Sequence, residues 1–397
     1  MLEQYKLGRR IVDALDLKVL LISNGAIVPE ATFQEFAMQR RLTDPSNLMA
    51  CNCVILPDGV AAHLTANDES PFRIGISENG RPSLEYHGEL VTEVEFPAYT
   101  EFYKQSTSTG RSFGLYGVLE GQGILAFHYL WPCQFARSGE ICAFCFQGLA
   151  DVAGMNLPSP TPREAGEMVA WALQDGCVRE VQLTGGSRFS PSGECPRAAE
   201  VLRGIDEVAG IENIPDEIYA YLSAPAQPEA VDELFKVGID RVAYDLNLWD
   251  VKCHAEVCPG HARHIGRERQ LKALEYVAGK YGPNKACSAF VVGLEPLESL
   301  IEGAEYLGSH GIVPLLSVWM PGVDPILGLD RPPELEYYRR ARQACAQVYA
   351  RYQLTPPGIT AGAHVSMCRD VFDRLEDLLP SSAYTSENFA RLEGMQE

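Results

Sequence analysis

Three cysteines, Cys133, Cys142 and Cys145, stand within one loop in the spacing C-x8-C-x2-C. Sulfur donors gathered on a loop can hold a metal centre, and three of them leave a fourth position unfilled. An open position on iron is where chemistry happens, so this loop is the candidate reactive centre. Two other readings share the same residues. A fourth ligand such as His128 would make a structural zinc site, in which C-x2-C is a common knuckle. Cysteine also packs as a small hydrophobe and binds nothing.

Such a centre needs a platform. The run Gly123 to Leu130 just before it reads as a buried strand, and the Pro and Gly that follow read as loop. From Leu125 onward strand, loop and helix repeat. Helix Pro162 to Asp175 leads to strand Glu180 to Thr184, and helix Cys195 to Ala209 to strand Glu217 to Leu222. Helix Pro228 to Val237 leads to strand Arg241 to Leu246, and helix Arg267 to Lys280 to strand Cys287 to Val292. Helix Pro296 to His310 leads to strand Val313 to Val318. The pattern predicts an α/β protein: a partial (β/α)6 TIM-like barrel with an N-terminal antiparallel β extension. In such barrels the reactive groups sit on loops after the strands, where the three cysteines fall.

Residues 4 to 16 carry apolar positions at helical spacing, Leu17 to Ile22 reads as a strand, and a second helix is expected from Ala31 to Arg41. Between 50 and 122 short β-rich pieces alternate with turn signals such as Pro57-Asp58-Gly59 and Glu78-Asn79-Gly80. The expected division is a helical segment over 1–49, a small β domain over 50–122, the barrel over 123–330 and a helical extension over 331–397. That extension holds a helix over 333–353, then Thr360 to His364 and Cys368, which can cap the barrel mouth.

The cysteine loop resembles the cluster loop of radical S-adenosylmethionine (radical SAM) enzymes. Cys142-Ala143-Phe144-Cys145 reproduces its aromatic-containing end, whereas the first gap holds eight residues in place of the usual three. The resemblance implies that Cys133, Cys142 and Cys145 ligate three irons of a [4Fe-4S] cluster and that Phe144 lies against the adenine of S-adenosylmethionine. Gly185-Gly186-Ser187 resembles the family's Gly-Gly-Glu element, which meets the cofactor's amino group, with Ser187 in place of Glu. Asn247 and then Asp250, at the end of the fourth strand, look like the ribose-binding strand end of the biotin synthase group. Arg263 or Arg267 can pair with the cofactor carboxylate. Gly293 and Glu295 resemble the strand edge that packs on adenine, and Trp319 and Met320 would flank the adenine and substrate side. The plainer alternatives are a tight turn, a polar strand end, solvated helix-start charges and core packing. Cys51 with Cys53, or Cys253 with Cys258, leaves an auxiliary cluster open. The resemblance covers roughly residues 125 to 325, about half of the chain.

It implies an oxygen-sensitive enzyme that reductively cleaves S-adenosylmethionine to a 5'-deoxyadenosyl radical and takes hydrogen from a small-molecule substrate. The setting would be cofactor or natural-product biosynthesis, with flavodoxin or ferredoxin as electron donor. A methyltransferase of the same superfamily is one alternative, and a non-catalytic zinc- or iron-sulfur-binding protein is another.

Composition narrows the field. With 46% apolar and 22% charged residues in 397, the chain has the makings of a large core. A formal charge of -20 argues against nucleic acid or an anionic membrane as partner. No apolar run reaches the length of a membrane span, and the first residues lack a signal-peptide layout. Twelve cysteines without such a signal lead us to expect thiols or metal ligands and a cytoplasmic location.

Overall fold

The chain opens with a hairpin, β1 (Gln4–Leu7) against β2 (Arg10–Asp13), turned at Gly8, whose φ of 59° a glycine adopts without strain. Asp13 then caps the helix Ala14–Asn24, its carboxylate accepting the Asp16 N–H at 2.8 Å. Sequence reading expects the reverse, a helix over 4–16 and a strand over Leu17–Ile22. The reason is burial: Leu17, Val19, Leu21 and Ile22 are all enclosed, and a run enclosed all round carries no period to separate helix from strand. The computed structural model describes residues 2–29, 53–96, 101–120, 123–145, 158–321, 327, 331–357 and 365–380. The expected helix Ala31 to Arg41, Cys51, and Thr360 to His364 lie outside them.

Two small antiparallel sheets follow, β3 (Cys53–Ile55) with β4 (Ala61–His63), and β5 (Phe72–Ile76), β6 (Pro82–Tyr86) and β7 (Glu89–Glu93). The seven-stranded main sheet then begins with β8 (Gly117–Glu120) antiparallel to β9 (Ile124–Leu130). The parallel strands β10 (Glu180–Gly185), β11 (Glu217–Tyr221), β12 (Arg241–Ala243), β13 (Ala286–Val292) and β14 (Val313–Val318) extend it in sequence order. The connecting helices include Pro162–Asp175, Cys195–Ala209, Arg267–Tyr281 and Leu297–Ser309. The first of these has a complete capping box, Thr161 with Glu164, a Pro at its start and a left-handed Gly176 at its end. The sheet curls into a half-barrel, a partial TIM-like architecture.

Most side chains of the parallel strands are enclosed; all seven residues of β13 are buried. Exceptions recur at alternate positions. His128 on β9, Gln182 and Thr184 on β10, Tyr221 on β11 and Ser317 on β14 are half-buried beside fully buried neighbours. Successive side chains of a strand point to opposite faces, so these exceptions mark the concave face and show that the barrel is hollow.

The far edge of the sheet is closed by Ser366, which bridges to Ser317 antiparallel. The N-terminal helix holds this closing segment in place. Lys18, with no exposed surface, donates from Nζ to Asp370 Oδ2 at 2.7 Å and to the Ser366 carbonyl. Arg342 and Arg339, on the helix Leu335–Tyr352, grip Asp13 and Asp16 at 2.6 Å each and fix the same helix from its start. Removing one member of a buried ion pair strands the other charge. Lys18→Met is therefore expected to cost about 3–5 kcal/mol in urea unfolding, with Lys18→Met/Asp370→Leu recovering most of it.

Candidate active site

The strands β9 and β10 deliver two loops to one place. The Gly186 N–H donates to the Leu130 carbonyl at 3.0 Å, the Gln134 N–H to the Ser187 carbonyl at 2.9 Å, and the Ser187 N–H to Cys133 Sγ at 3.4 Å. A Cβ on Gly186 would lie 2.4 Å from Cys133 Cα, and one on Gly185 would lie 2.9 Å from the Leu130 carbonyl oxygen. The paired glycines are therefore a packing requirement: only bare backbone fits against the first cysteine.

The rest of the cysteine loop is fixed by the segment after β12. The Ala143 N–H donates to the Val257 carbonyl at 2.8 Å, and Phe144 packs with Ala143, Leu248, Val257 and Cys258 in a small apolar cluster. Glu140 receives both Arg263 and His264, and its hydrogen bond with His264 holds the carboxyl below its usual range. Completely buried, Cys258 shares a hydrogen bond with Cys142; that bond, with burial, pushes the Cys142 thiol well up. Burial also raises Cys133. The eleven described cysteines are all free thiols.

Cys133, Cys142 and Cys145 all border one cavity of about 400 Å³, which extends from these loops into the hollow barrel. Its wall also contains Phe144, Gly185, Gly186, Ser187 and Asn247. Among the described residues no three His, Cys, Asp or Glu side chains converge to hold a single metal ion. Each thiolate of a cubane binds a different iron, so three cysteines that hold one need not meet at a single point. Three thiols on one cavity wall fit a [4Fe-4S] cluster. His261 stands beside them, 5.3 Å from the Phe135 ring, with Nε2 3.4 Å from Ser187 Oγ and a buried Nδ1 that has no partner among the described residues.

The remaining residues singled out by sequence divide. Asn247 reaches the cavity in the left-handed region, φ 61°, which Asn tolerates, locked by Asn247 N–H to Ala289 O and Val291 N–H to Asn247 O. Trp319 and Met320 border the cavity too. Asp250, Arg263, Arg267, Gly293 and Glu295 do not. Asp250 caps the helix Val251–Val257, accepting the Lys252 and Cys253 N–H groups. Arg263 is on Glu140, and Arg267 lies over the Trp249 ring at 3.5 Å while donating to the Trp249 carbonyl. Gly293, φ 116°, makes room for Tyr338. Glu295 accepts the Trp249 and Asp250 N–H groups at 2.8 and 2.7 Å, and burial raises it to about 7. As for an auxiliary cluster, Cys253 and Cys258 sit in the apolar packing around Phe144, and Cys53 lies in β3.

Sequence reading passed over Glu120, Gln182, Tyr221, Asp245 and His261, all of which border the cavity. For the four on or beside strands the signal was available: a polar side chain at an inward position of an otherwise apolar strand. Burial lifts Glu120 and Asp245 each to about 7 and drops His128 to about 4.

No protein-family model matches the chain. It is similar to the bacteriochlorophyllide c C-7(1)-hydroxylase of Chlorobaculum limnaeum, 25% identical over 264 residues, which are 62% of this chain and 64% of that protein. Among solved structures it is similar to SuiB of Streptococcus suis, at 14% identity and a TM-score of 0.44 over 60% of this chain and 50% of that one. Coproporphyrinogen III oxidase (HemN) of Escherichia coli, a radical SAM enzyme, aligns at 13% identity and a TM-score of 0.38 over 58% of this chain and 53% of that one. The chain thus spans less than two thirds of these relatives' lengths.

Two measurements test the site. Gly186→Ala is expected to displace Cys133 and lower iron bound after anaerobic reconstitution, with the far-UV circular dichroism unchanged. The second concerns pH. Between about 4.5 and about 7 the folded protein keeps protons on Glu120 and Asp245 that the unfolded chain has released. Their contribution to stability therefore falls as pH rises through that window and levels off above it. Glu120→Gln/Asp245→Asn should gain stability relative to the parent from pH 4.5 to 7, in urea titrations at each pH.

Proposed function

We propose that this chain is a radical SAM enzyme, one that cleaves S-adenosylmethionine reductively and abstracts hydrogen from a small-molecule substrate. The observation that carries the reading is the placing of Cys133, Cys142 and Cys145 on one cavity wall at the strand ends, against the bare backbone of Gly185 and Gly186. A bound [4Fe-4S] cluster and S-adenosylmethionine supply one-electron cleavage of the C5'–S bond to a 5'-deoxyadenosyl radical.

The chain's own residues do the rest. The three thiolates hold the cluster and leave one iron without a protein ligand. Gly185, Gly186 and Ser187 offer backbone and hydroxyl groups to the cofactor's amino end, while Phe144 and Asn247 border the nucleoside. The residues outside the cavity act by positioning. Glu295 fixes the Trp249 and Asp250 amides, Asp250 starts the next helix, and Arg267 clamps Trp249, so that the strand end carrying Asn247 keeps its left-handed turn. The walls of the half-barrel's hollow would shield a reactive radical from part of the bulk water. The relative is named for a C-7(1)-hydroxylase, and hydroxylation at a carbon agrees with hydrogen abstraction as the first step here.

Anaerobic reconstitution tests the proposal. Four irons and four sulfides per chain with dithionite-dependent release of 5'-deoxyadenosine are expected, and Cys133→Ala, Cys142→Ala and Cys145→Ala should each abolish the brown chromophore. One tight zinc with no iron would overturn it. S-adenosylhomocysteine in place of 5'-deoxyadenosine would reassign the chain to methyl transfer.

A further inference from the structure

Beyond the thiols the cavity continues into the barrel, and its wall changes character. Glu120 at the end of β8, Asp245 after β12 and Tyr221 between them in sheet order face the hollow together with His128 and Gln182. Tyr221 is within electrostatic reach of both Asp245 and Glu120. Asp245 Oδ1 accepts the Ala289 N–H at 2.9 Å. Among the described residues no hydrogen bond or ion pair engages the Glu120 carboxylate, and no Lys or Arg borders the cavity. The third carboxylate of the wall, Glu194, is committed to the Arg188 and Ser223 N–H groups at 2.7 and 2.6 Å.

Among the described residues, other groups that border the cavity have unmet hydrogen-bonding capacity. Trp319, 2% exposed, has an Nε1 without a partner, and so has His128 Nδ1. Depressed by burial, His128 is neutral at physiological pH and adds no positive charge. Water-filled or not, an enclosed space with two uncompensated carboxyls is hostile to anions and favours a cation. Their raised protonation points are what enclosure without a counter-charge produces, and such groups in a cavity are candidates for ligand contact.

We propose that the barrel interior takes a substrate bearing a positively charged nitrogen, an ammonium or amidinium group favoured by the negative field of Glu120 and Asp245, and turns away carboxylate and phosphate ends. This rests on reading the cavity as the substrate chamber of an S-adenosylmethionine-cleaving enzyme. It names the charge of what enters.

Three probes of one chain length separate charge from shape: pentylammonium, pentan-1-ol and pentanoate, titrated by saturation-transfer NMR into reconstituted full-length protein saturated with S-adenosylmethionine. Pentylammonium is expected to bind at least tenfold more tightly than pentanoate, with pentanol between them. Glu120→Gln/Asp245→Asn, isosteric and already neutral where burial wants neutrality, should erase that preference while iron content is unchanged. Pentanoate or pentanol binding as tightly as pentylammonium to the parent protein overturns the proposal without recourse to any variant. So does a preference that survives in the double variant. Iron content and 5'-deoxyadenosine release report separately on the superfamily chemistry, so a failure there is distinguishable from a failure here.

Discussion

The contact between Gly186 and Cys133 governs the rest of the site. Two strand-end loops approach until a single added carbon would lie 2.4 Å from a neighbouring Cα. At that separation the loops cannot shift independently, and the Ser187 amide falls on the Cys133 sulfur. One thiol is thus set by the sheet itself. The other two ride on a loop whose position comes from a different contact, Ala143 against Val257. Two anchors of separate origin thus bring three cysteines to the wall of one cavity.

A hollow barrel follows from side-chain choice. Barrel interiors of this kind are ordinarily packed with branched apolar residues. Here the concave positions are given to His128, Gln182, Thr184, Tyr221 and Ser317, while their neighbours on the convex side are sealed beneath helices. The polar interior loses the packing that branched residues would contribute, and stability has to come from elsewhere. The convex faces, the capped helices and the clasp between the N-terminal helix and the C-terminal segment carry it.

Much of this was legible in the chain. The alternation from Leu125 to Val318 gave strand and helix positions because turns, caps and apolar runs agree there. The Pro162 and Gly176 boundaries of one helix are written in the residues that cap it. The N-terminus misled because Leu17 to Ile22 is buried on every side, leaving no period to read. Within the site, cysteine spacing pointed to the cavity wall, and so did Gly185, Gly186 and Asn247. Arg263 and Arg267 drew attention as cations in an acidic chain, yet their partners, Glu140 and Trp249, are fixed by tertiary contacts that no local pattern announces. Asp245 was passed over for the opposite reason, although a carboxylate in an apolar run is itself a signal. It lies within a strand expected as plain core, Arg241 to Leu246, and the curl of the sheet shows that it faces a space.

The clasp that shuts the barrel edge joins Lys18 to Asp370 across 352 positions of sequence. During synthesis the chain emerges in order, and domains form as their parts become available. Until Ser366 has followed, β14 has an unpaired border and Lys18 has no acid to meet. A nascent chain can therefore assemble its parallel strands early but leaves that border of the sheet unpaired until Ser366 arrives.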